Sequence, residues 1–151
     1  MNTNIFSIIF AKNCSIVHME CPIRFLGSIK AGFPSPASDY MENRIDLNSR
    51  FIKRPTSTFF FETDGDSMAD AHIPHGSLLV VDRSLKPKNN SIVIAVVDGE
   101  FTVKFLVQNI QGFMLVAANP KYKNIRITEG MDFTVWGVVT AVIIDTTKYG
   151  V

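Results

Sequence analysis

Short runs of apolar and β-prone residues, separated by turn-forming residues, dominate the chain from about residue 45 to its end. Asp98-Gly99 joins two of these runs, and Asp-Gly between apolar segments is the strongest short-range signal for a β-hairpin. Gly137 interrupts the last and longest run, which predicts a bend or a β-bulge at that point. The strands predicted in this way cover residues 58–62, 76–82, 91–97, 100–107, 113–117 and 133–144. Strands of this number and spacing predict a mostly-β domain over residues 45–151.

The chain changes character about 30 residues from its start. The first segment has mixed composition and weak periodicity, so we expect a partly extended arm, too short and irregular for a helix-turn-helix DNA reader. Pro34 and Pro36 then remove two backbone donors and favour extended geometry. Residues 38–44 could form one short helix, capped by Ser35 or Ser38. The predicted organisation is an arm over residues 1–31, a linker over residues 32–44 and a β-rich domain over residues 45–151.

Charge and hydropathy exclude several classes of function. The net charge is +1, from 15 basic and 14 acidic residues, and no cluster of Lys or Arg stands out. Strong binding to DNA phosphates needs clustered cations, so we expect no direct sequence-specific DNA binding. No apolar run approaches the ~18 residues of a membrane span. The apolar stretch over residues 5–11 lacks the basic start of a secretory signal, so the expected compartment is the cytoplasm.

The cysteines and histidines form no recognisable site. Cys14 and Cys21 read as two reduced thiols rather than a disulfide, and neither has a partner at metal-ligand spacing. The three histidines, His18, His72 and His75, belong to no motif. We therefore expect neither a metal ion nor another cofactor.

Two residues are candidates for chemistry. Ser67 follows a predicted strand, beside a glycine, where a sharp turn can expose a hydroxyl, although most Gly-Asp-Ser triplets are ordinary turns. Lys104 lies within a predicted strand and shares a face with Thr102 and Leu106. Its amine either reaches out to water or is held in apolar surroundings, where desolvation lowers its pKa and makes a neutral base available.

The pair is more informative than either residue alone. A serine hydroxyl needs a base within hydrogen-bond reach to act as a nucleophile, and a Ser-Lys pair supplies one without histidine or aspartate. The backbone N–H groups of Ser67 and Met68 could form an oxyanion hole. The predicted chemistry is therefore nucleophilic attack by a serine hydroxyl that a lysine amine activates.

Four segments of the sequence together resemble one known protein family. They are residues 31–37 (AGFPSPA), 44–48 (RIDLN), 65–68 (GDSM) and 98–104 (DGEFTVK). In this order they resemble the UmuD family of SOS-mutagenesis proteins, which are relatives of the LexA repressor peptidase domain. The resemblance covers roughly residues 24 to 144.

The resemblance implies a fold, an activity and partners. The fold would be a LexA/UmuD-type peptidase domain of twisted antiparallel strands with a flexible N-terminal arm. Ser67 would be the nucleophile, Lys104 the general base and Ala31-Gly32 the scissile bond. A RecA nucleoprotein filament on single-stranded DNA would stimulate the cut, and the processed form would dimerise and join a UmuC-type Y-family polymerase subunit in error-prone translesion synthesis. The chain has no room for the DNA-binding domain of LexA, which favours the mutagenesis branch.

Other interpretations remain open. A signal-peptidase-like enzyme also uses a Ser-Lys pair but needs a membrane anchor and a separate substrate. A non-catalytic dimeric module could bind a polymerase without cutting anything. An unspecialised β domain would leave Ser67 and Lys104 far apart in space.

Overall fold

The computed structural model describes residues 23–25 and 43–148 of the chain. Its backbone divides into two compact units, Met1–Asp46 and Leu47–Val151. In the first unit, strands β1 (Ile23–Phe25) and β2 (Asn43–Ile45) pair in antiparallel fashion, with Arg24 opposite Arg44. The helix expected over residues 38–44 is therefore wrong at its end, because residues 43 and 44 are extended and paired; the rest of it lies outside the described residues.

The second unit is built on one seven-stranded sheet, which confirms the mostly-β prediction. Its strands are β3 (Thr58–Glu62), β4 (Leu78–Asp82), β5 (Ser91–Val97), β6 (Glu100–Asn109), β7 (Gly112–Val116), β8 (Ile125–Arg126) and β9 (Phe133–Ile143). Their order across the sheet is β3-β4-β9-β5-β6-β7-β8, and every pairing is antiparallel. β9 lies between β4 and β5 and pairs with both, so this late strand joins the β3–β4 pair to the rest of the sheet.

The Asp98-Gly99 turn joins β5 to β6 as predicted. Val97 pairs with Glu100, and both turn residues have positive φ, 50° at Asp98 and 86° at Gly99. Two positive φ values are the requirement of the tight hairpin turn whose twist matches the flanking strands. This turn fixes the register of β6, and the register decides which face Lys104 occupies.

The bulge predicted at Gly137 is also present. Ile94 pairs with Gly137 while the next residue, Ala95, pairs with Val135, so Trp136 is the extra residue on β9. A Cβ at position 137 would lie 2.7 Å from Val81 Cγ1. Only glycine fits there, because that approach is closer than van der Waals contact allows.

The core covers both faces of the central strands. One buried cluster contains Ile94 and Met68, and the other contains Val93 and Ala95, neighbours of Ile94 that point to the opposite face. A strand buried on both faces has a nearly continuous apolar sequence, as β5 does. Met68, with 1% of its surface exposed, ties the turn that carries Ser67 to this core.

A short helix, α1 (Leu47–Phe51), was not expected from the sequence. The helix has five residues, none of them buried. A helix without a buried face has no apolar periodicity in its sequence by which it could be predicted. Within the described part of the chain, no helix is long and apolar enough to cross a membrane.

The close approach at Gly137 predicts a stability effect. Gly137→Ala should lower the free energy of unfolding by about 1–3 kcal/mol, because the new methyl group must displace Val81 or the backbone of β4. Urea unfolding followed by fluorescence of Trp136 measures the change. The control is Thr134→Ala, an exposed position on the same strand, which should change stability by no more than about 0.5 kcal/mol. Equal stability of the Gly137→Ala variant and the parent would contradict the packing described here.

Candidate active site

Ser67 lies on a turn that leaves β3 and enters a short 3-10 helix over Ala69–Ala71. Gly65 opens the turn with a φ of 107°, a conformation that residues with a Cβ rarely adopt. Met68 closes it by pairing with Ile73, whose N–H donates to the Met68 carbonyl at 3.2 Å. The serine therefore sits between a glycine that permits the bend and a buried methionine that anchors it.

Lys104 projects from the middle of β6 and is 6% exposed. Leu106 on the same face of the strand is buried with it, as the alternation of strand side chains requires. Its Nζ donates hydrogen bonds to Ser67 Oγ at 2.7 Å and to the Val103 carbonyl at 3.0 Å. The amine thus turns toward the serine instead of reaching for water.

Burial lowers the pKa of Lys104, because desolvation disfavours the ammonium form. Among the residues that the structure describes, no carboxylate lies within ion-pair distance of this amine to oppose the effect. The centroid of the Tyr122 ring lies 5.9 Å from Nζ. The environment therefore makes it easier to remove a proton from an amine that lies directly beside a hydroxyl group, and general-base activation of serine requires a base in this position.

Asp66, the residue before the serine, is held by the loop that follows β7. Asn119 Nδ2 donates to the Asp66 carbonyl at 2.9 Å and to its Oδ2 at 3.1 Å. Tyr122 donates its hydroxyl to Asp66 Oδ1 at 2.5 Å, and Lys121 Nζ lies 3.6 Å from Oδ2. The hydrogen bond from Tyr122 is the main cause that lowers the pKa of the Asp66 carboxyl, while the same bond raises the pKa of Tyr122.

A cleft of about 240 Å³ opens beside Ser67. It is lined by residues 61–64 at the end of β3, residues 101–103 on β6, and Leu79 and Ile94 at its base. β3 is an edge strand, and residues 101–103 precede the part of β6 that pairs with β7, so one side of each backbone has no strand partner. An extended peptide can pair with such a strand edge. The cleft can accommodate a short chain segment next to the serine hydroxyl.

The structure brings together Ser67 and Lys104, which the sequence placed 37 positions apart. This distance excludes the interpretation in which the two residues are far apart. Ala31 and Gly32, the expected scissile pair, lie outside the described residues, as do Cys14, Cys21 and His18. Across the described ranges, no group of three or more His, Cys, Asp or Glu side chains is arranged to hold a metal ion.

Asn119 and Tyr122 were not identified by the sequence analysis. Asn119-Pro120 is a turn signal, but it indicates only a loop. Nothing in the local pattern shows that this loop returns to a residue 53 positions earlier in the chain. The contact depends on the pairing of β6 with β7, which is a tertiary feature.

Comparison with known proteins identifies the family of this chain. The Peptidase S24-like family model matches residues 24–140. Protein ImpA of Salmonella typhimurium is 45% identical over 120 residues, which are 79% of this chain and 81% of that protein. Protein MucA of Escherichia coli is 36% identical over 125 residues, covering 80% of this chain and 83% of that one.

A repressor is also among the relatives. LexA repressor 1 of Xanthomonas campestris is 35% identical over 119 residues, or 78% of this chain but only 58% of the repressor. Most of the chain is thus shared with a peptidase family that includes repressors, and its higher identities are to ImpA and MucA. With the motif resemblance seen in the sequence, these matches show that the chain belongs to the S24-like peptidase family and, within it, to the UmuD family of SOS-mutagenesis proteins.

Proposed function

We propose that this protein is a serine peptidase that cuts its own chain between Ala31 and Gly32 in the SOS response. The observation on which the proposal rests is the 2.7 Å hydrogen bond between Lys104 Nζ and Ser67 Oγ in a desolvated site. Membership of a peptidase family makes cleavage the natural use of this pair.

In the proposed mechanism, neutral Lys104 accepts the Ser67 hydroxyl proton as Oγ attacks the carbonyl carbon of Ala31. The oxyanion of the tetrahedral intermediate accepts hydrogen bonds from the backbone N–H groups of Ser67 and Met68. The Lys104 ammonium then protonates the departing amine of Gly32, and Ser67 is left esterified by Ala31. Water, deprotonated by Lys104, hydrolyses the ester and restores the free hydroxyl.

The residues at the proposed cut suit a narrow site. Gly32 has no Cβ, so the dyad can approach its peptide bond closely, and Ala31 requires only a shallow pocket. The following prolines, Pro34 and Pro36, lack backbone N–H groups, a sequence feature that disfavours regular secondary structure. A cleavable bond needs this accessibility.

An intramolecular peptidase must also be kept latent, because effective molarities in such reactions reach about 10⁵ M or more. We infer a scissile segment that is mostly undocked and a RecA filament that favours the docked form. If the docked state is ~1% populated, a ~100-fold preference of the filament for that state brings the two populations near parity.

The processed chain, residues 32–151, would dimerise and act as the accessory subunit of an error-prone polymerase of the UmuC type. This part of the proposal rests on family membership. The net charge of +1, without a basic cluster, agrees with a protein that reaches DNA through partners. The proposed compartment is the cytoplasm.

Incubation with RecA, an ATP analogue and single-stranded DNA should convert the chain to a product that begins at Gly32. Ser67→Ala should abolish this conversion, because no other nucleophile replaces Oγ. Intact-mass measurement identifies the cut. Ser84→Ala is the matched control, since this exposed serine hydroxyl bonds to Asp82 and should not affect cleavage. Cleavage at another bond, or full cleavage and function in Ser67→Ala, would contradict the peptidase and favour the non-catalytic polymerase-binding module.

Self-cleavage without RecA should accelerate as the pH rises. The active form of Lys104 is the neutral amine, and burial lowers its pKa, so the rate should climb and level off before pH 10.5, the ordinary lysine value. First-order rates measured from about pH 6 to 10 give the profile. Lys104→Met should remove the pH-dependent rate, whereas Lys88→Met, at an exposed loop position, should keep it. A flat profile in the parent would argue against Lys104 as the base.

A further inference from the structure

The peptide groups on both sides of Ser67 are held by a single loop, residues 117–124, between β7 and β8. The Asp66 carbonyl accepts a hydrogen bond from Asn119 Nδ2 at 2.9 Å. The Ser67 carbonyl accepts one from the Ala118 N–H, also at 2.9 Å. In return, the Ala118 carbonyl accepts a bond from the Asp70 N–H at 2.8 Å. The loop therefore makes hydrogen bonds to the turn that carries Ser67 at three residues, which are Asp66, Ser67 itself and Asp70.

Asn119 is the side chain that makes this attachment. It is 9% exposed, and its Oδ1 accepts a hydrogen bond from the Lys121 N–H at 3.0 Å. Because a backbone N–H can only donate and the Asp66 oxygens can only accept, the amide must place its oxygen toward Lys121 and its nitrogen toward Asp66. Nδ2 then bonds both the carbonyl and the Oδ2 of Asp66. The amide nitrogen thus binds Asp66, and the amide oxygen binds the backbone of its own loop.

The attachment sets the direction of the Ser67 N–H. In a trans peptide the carbonyl and the N–H point in opposite directions. The Asp66 carbonyl points to the loop, so the Ser67 N–H points away from it. The cleft beside Ser67 lies on that other side, since residues of β3, β4, β5 and β6 line it and no residue of the loop does. A Ser67 N–H that points away from the loop can face the cleft, where a substrate carbonyl would lie.

We propose that Asn119 is a positioning residue for peptide cleavage, whose amide fixes the Asp66–Ser67 peptide so that the Ser67 N–H serves as an oxyanion donor. The inference rests on the proposed function and adds a residue to it. The Asp66 carboxylate strengthens the attachment, because Tyr122 and Lys121 hold it on the same loop. A charged acceptor roughly doubles the strength of the hydrogen bond that Asn119 donates to it.

Two substitutions separate this role from simple loop stabilisation. Asn119→Ala removes both ends of the amide. Asn119→Asp keeps the oxygen that accepts from Lys121 and removes the nitrogen that donates to Asp66. Asn124→Ala is the matched control, because Asn124 Oδ1 accepts from the Ala117 N–H in the same loop, whereas the side chains that bond to Asp66 are those of Asn119 and Tyr122.

The readout is RecA-independent self-cleavage of the full chain across the alkaline range, at a temperature where thermal unfolding shows every variant to be folded. We expect Asn119→Ala and Asn119→Asp to lower the plateau rate by about 10- to 100-fold, somewhat less than the outright loss of an oxyanion donor. Asn119→Ala should leave the midpoint of the pH profile unchanged, because the amide bonds to Asp66 and Lys121 and not to Lys104. Asn124→Ala should cleave like the parent.

Three results would overturn the inference: a parent-like rate in Asn119→Asp, an equal loss in Asn124→Ala, or a shifted midpoint in Asn119→Ala with an unchanged plateau. Failure of the proposed function looks different, since Ser67→Ala would then cleave or the parent would not. In that case the Ser67 amide resonance in an ¹⁵N NMR spectrum still decides the matter. It should move in Asn119→Asp and stay in place in Asn124→Ala, and an unmoved resonance in Asn119→Asp would refute the attachment.

Discussion

The hydrogen bond between Lys104 and Ser67 imposes one constraint on the rest of the domain, which is that an amine must be buried with no carboxylate at ion-pair distance among the described residues. Desolvation lowers the pKa of that amine, so between its folded and unfolded pKa values the unfolded chain binds more protons. Stability therefore rises with pH over this interval, and at neutral pH the buried lysine destabilises the folded state. The same burial that weakens the fold lowers the pKa of the amine that we propose as the base, and the surrounding sheet must compensate for the lost stability.

Lys104 is buried on β6 next to β5, a strand whose two faces are both covered by apolar side chains. The β5–β6 hairpin fixes the register that buries Lys104 beside Leu106, and β9 packs along the other edge of β5. The bulge at Trp136 and the close approach at Gly137 let β9 fit between β4 and β5. The rigidity of this sheet holds the amine at a fixed position, and the serine is brought to it from a turn.

The turn that presents the serine is held from two sides. Met68 secures it to the core, and the loop after β7 secures it through Asp66 and the Ser67 carbonyl. A nucleophile on an unsupported turn would lose the alignment that the transition state needs, because small displacements at a reacting centre reduce rates strongly. The chemistry proposed for this site thus depends on two elements that make no hydrogen bond to the Lys104 amine or to the Ser67 hydroxyl among the residues that the structure describes.

The sequence by itself determined six of the seven strands of the main sheet, the hairpin at Asp98-Gly99 and the bulge at Gly137, because runs of β-prone residues and turn residues are local signals. It also identified Ser67 and Lys104 as candidates, through motifs that occur together in one family. It missed β8, which has only two residues. It did not predict α1, which buries nothing, or the extended pairing of residues 43 and 44 with a strand some 20 positions earlier. Only the tertiary structure decided the 2.7 Å approach of Lys104 to Ser67 and the return of Asn119 to Asp66. Both contacts join segments separated by other strands, and the order of strands in a sheet is not written in any local pattern.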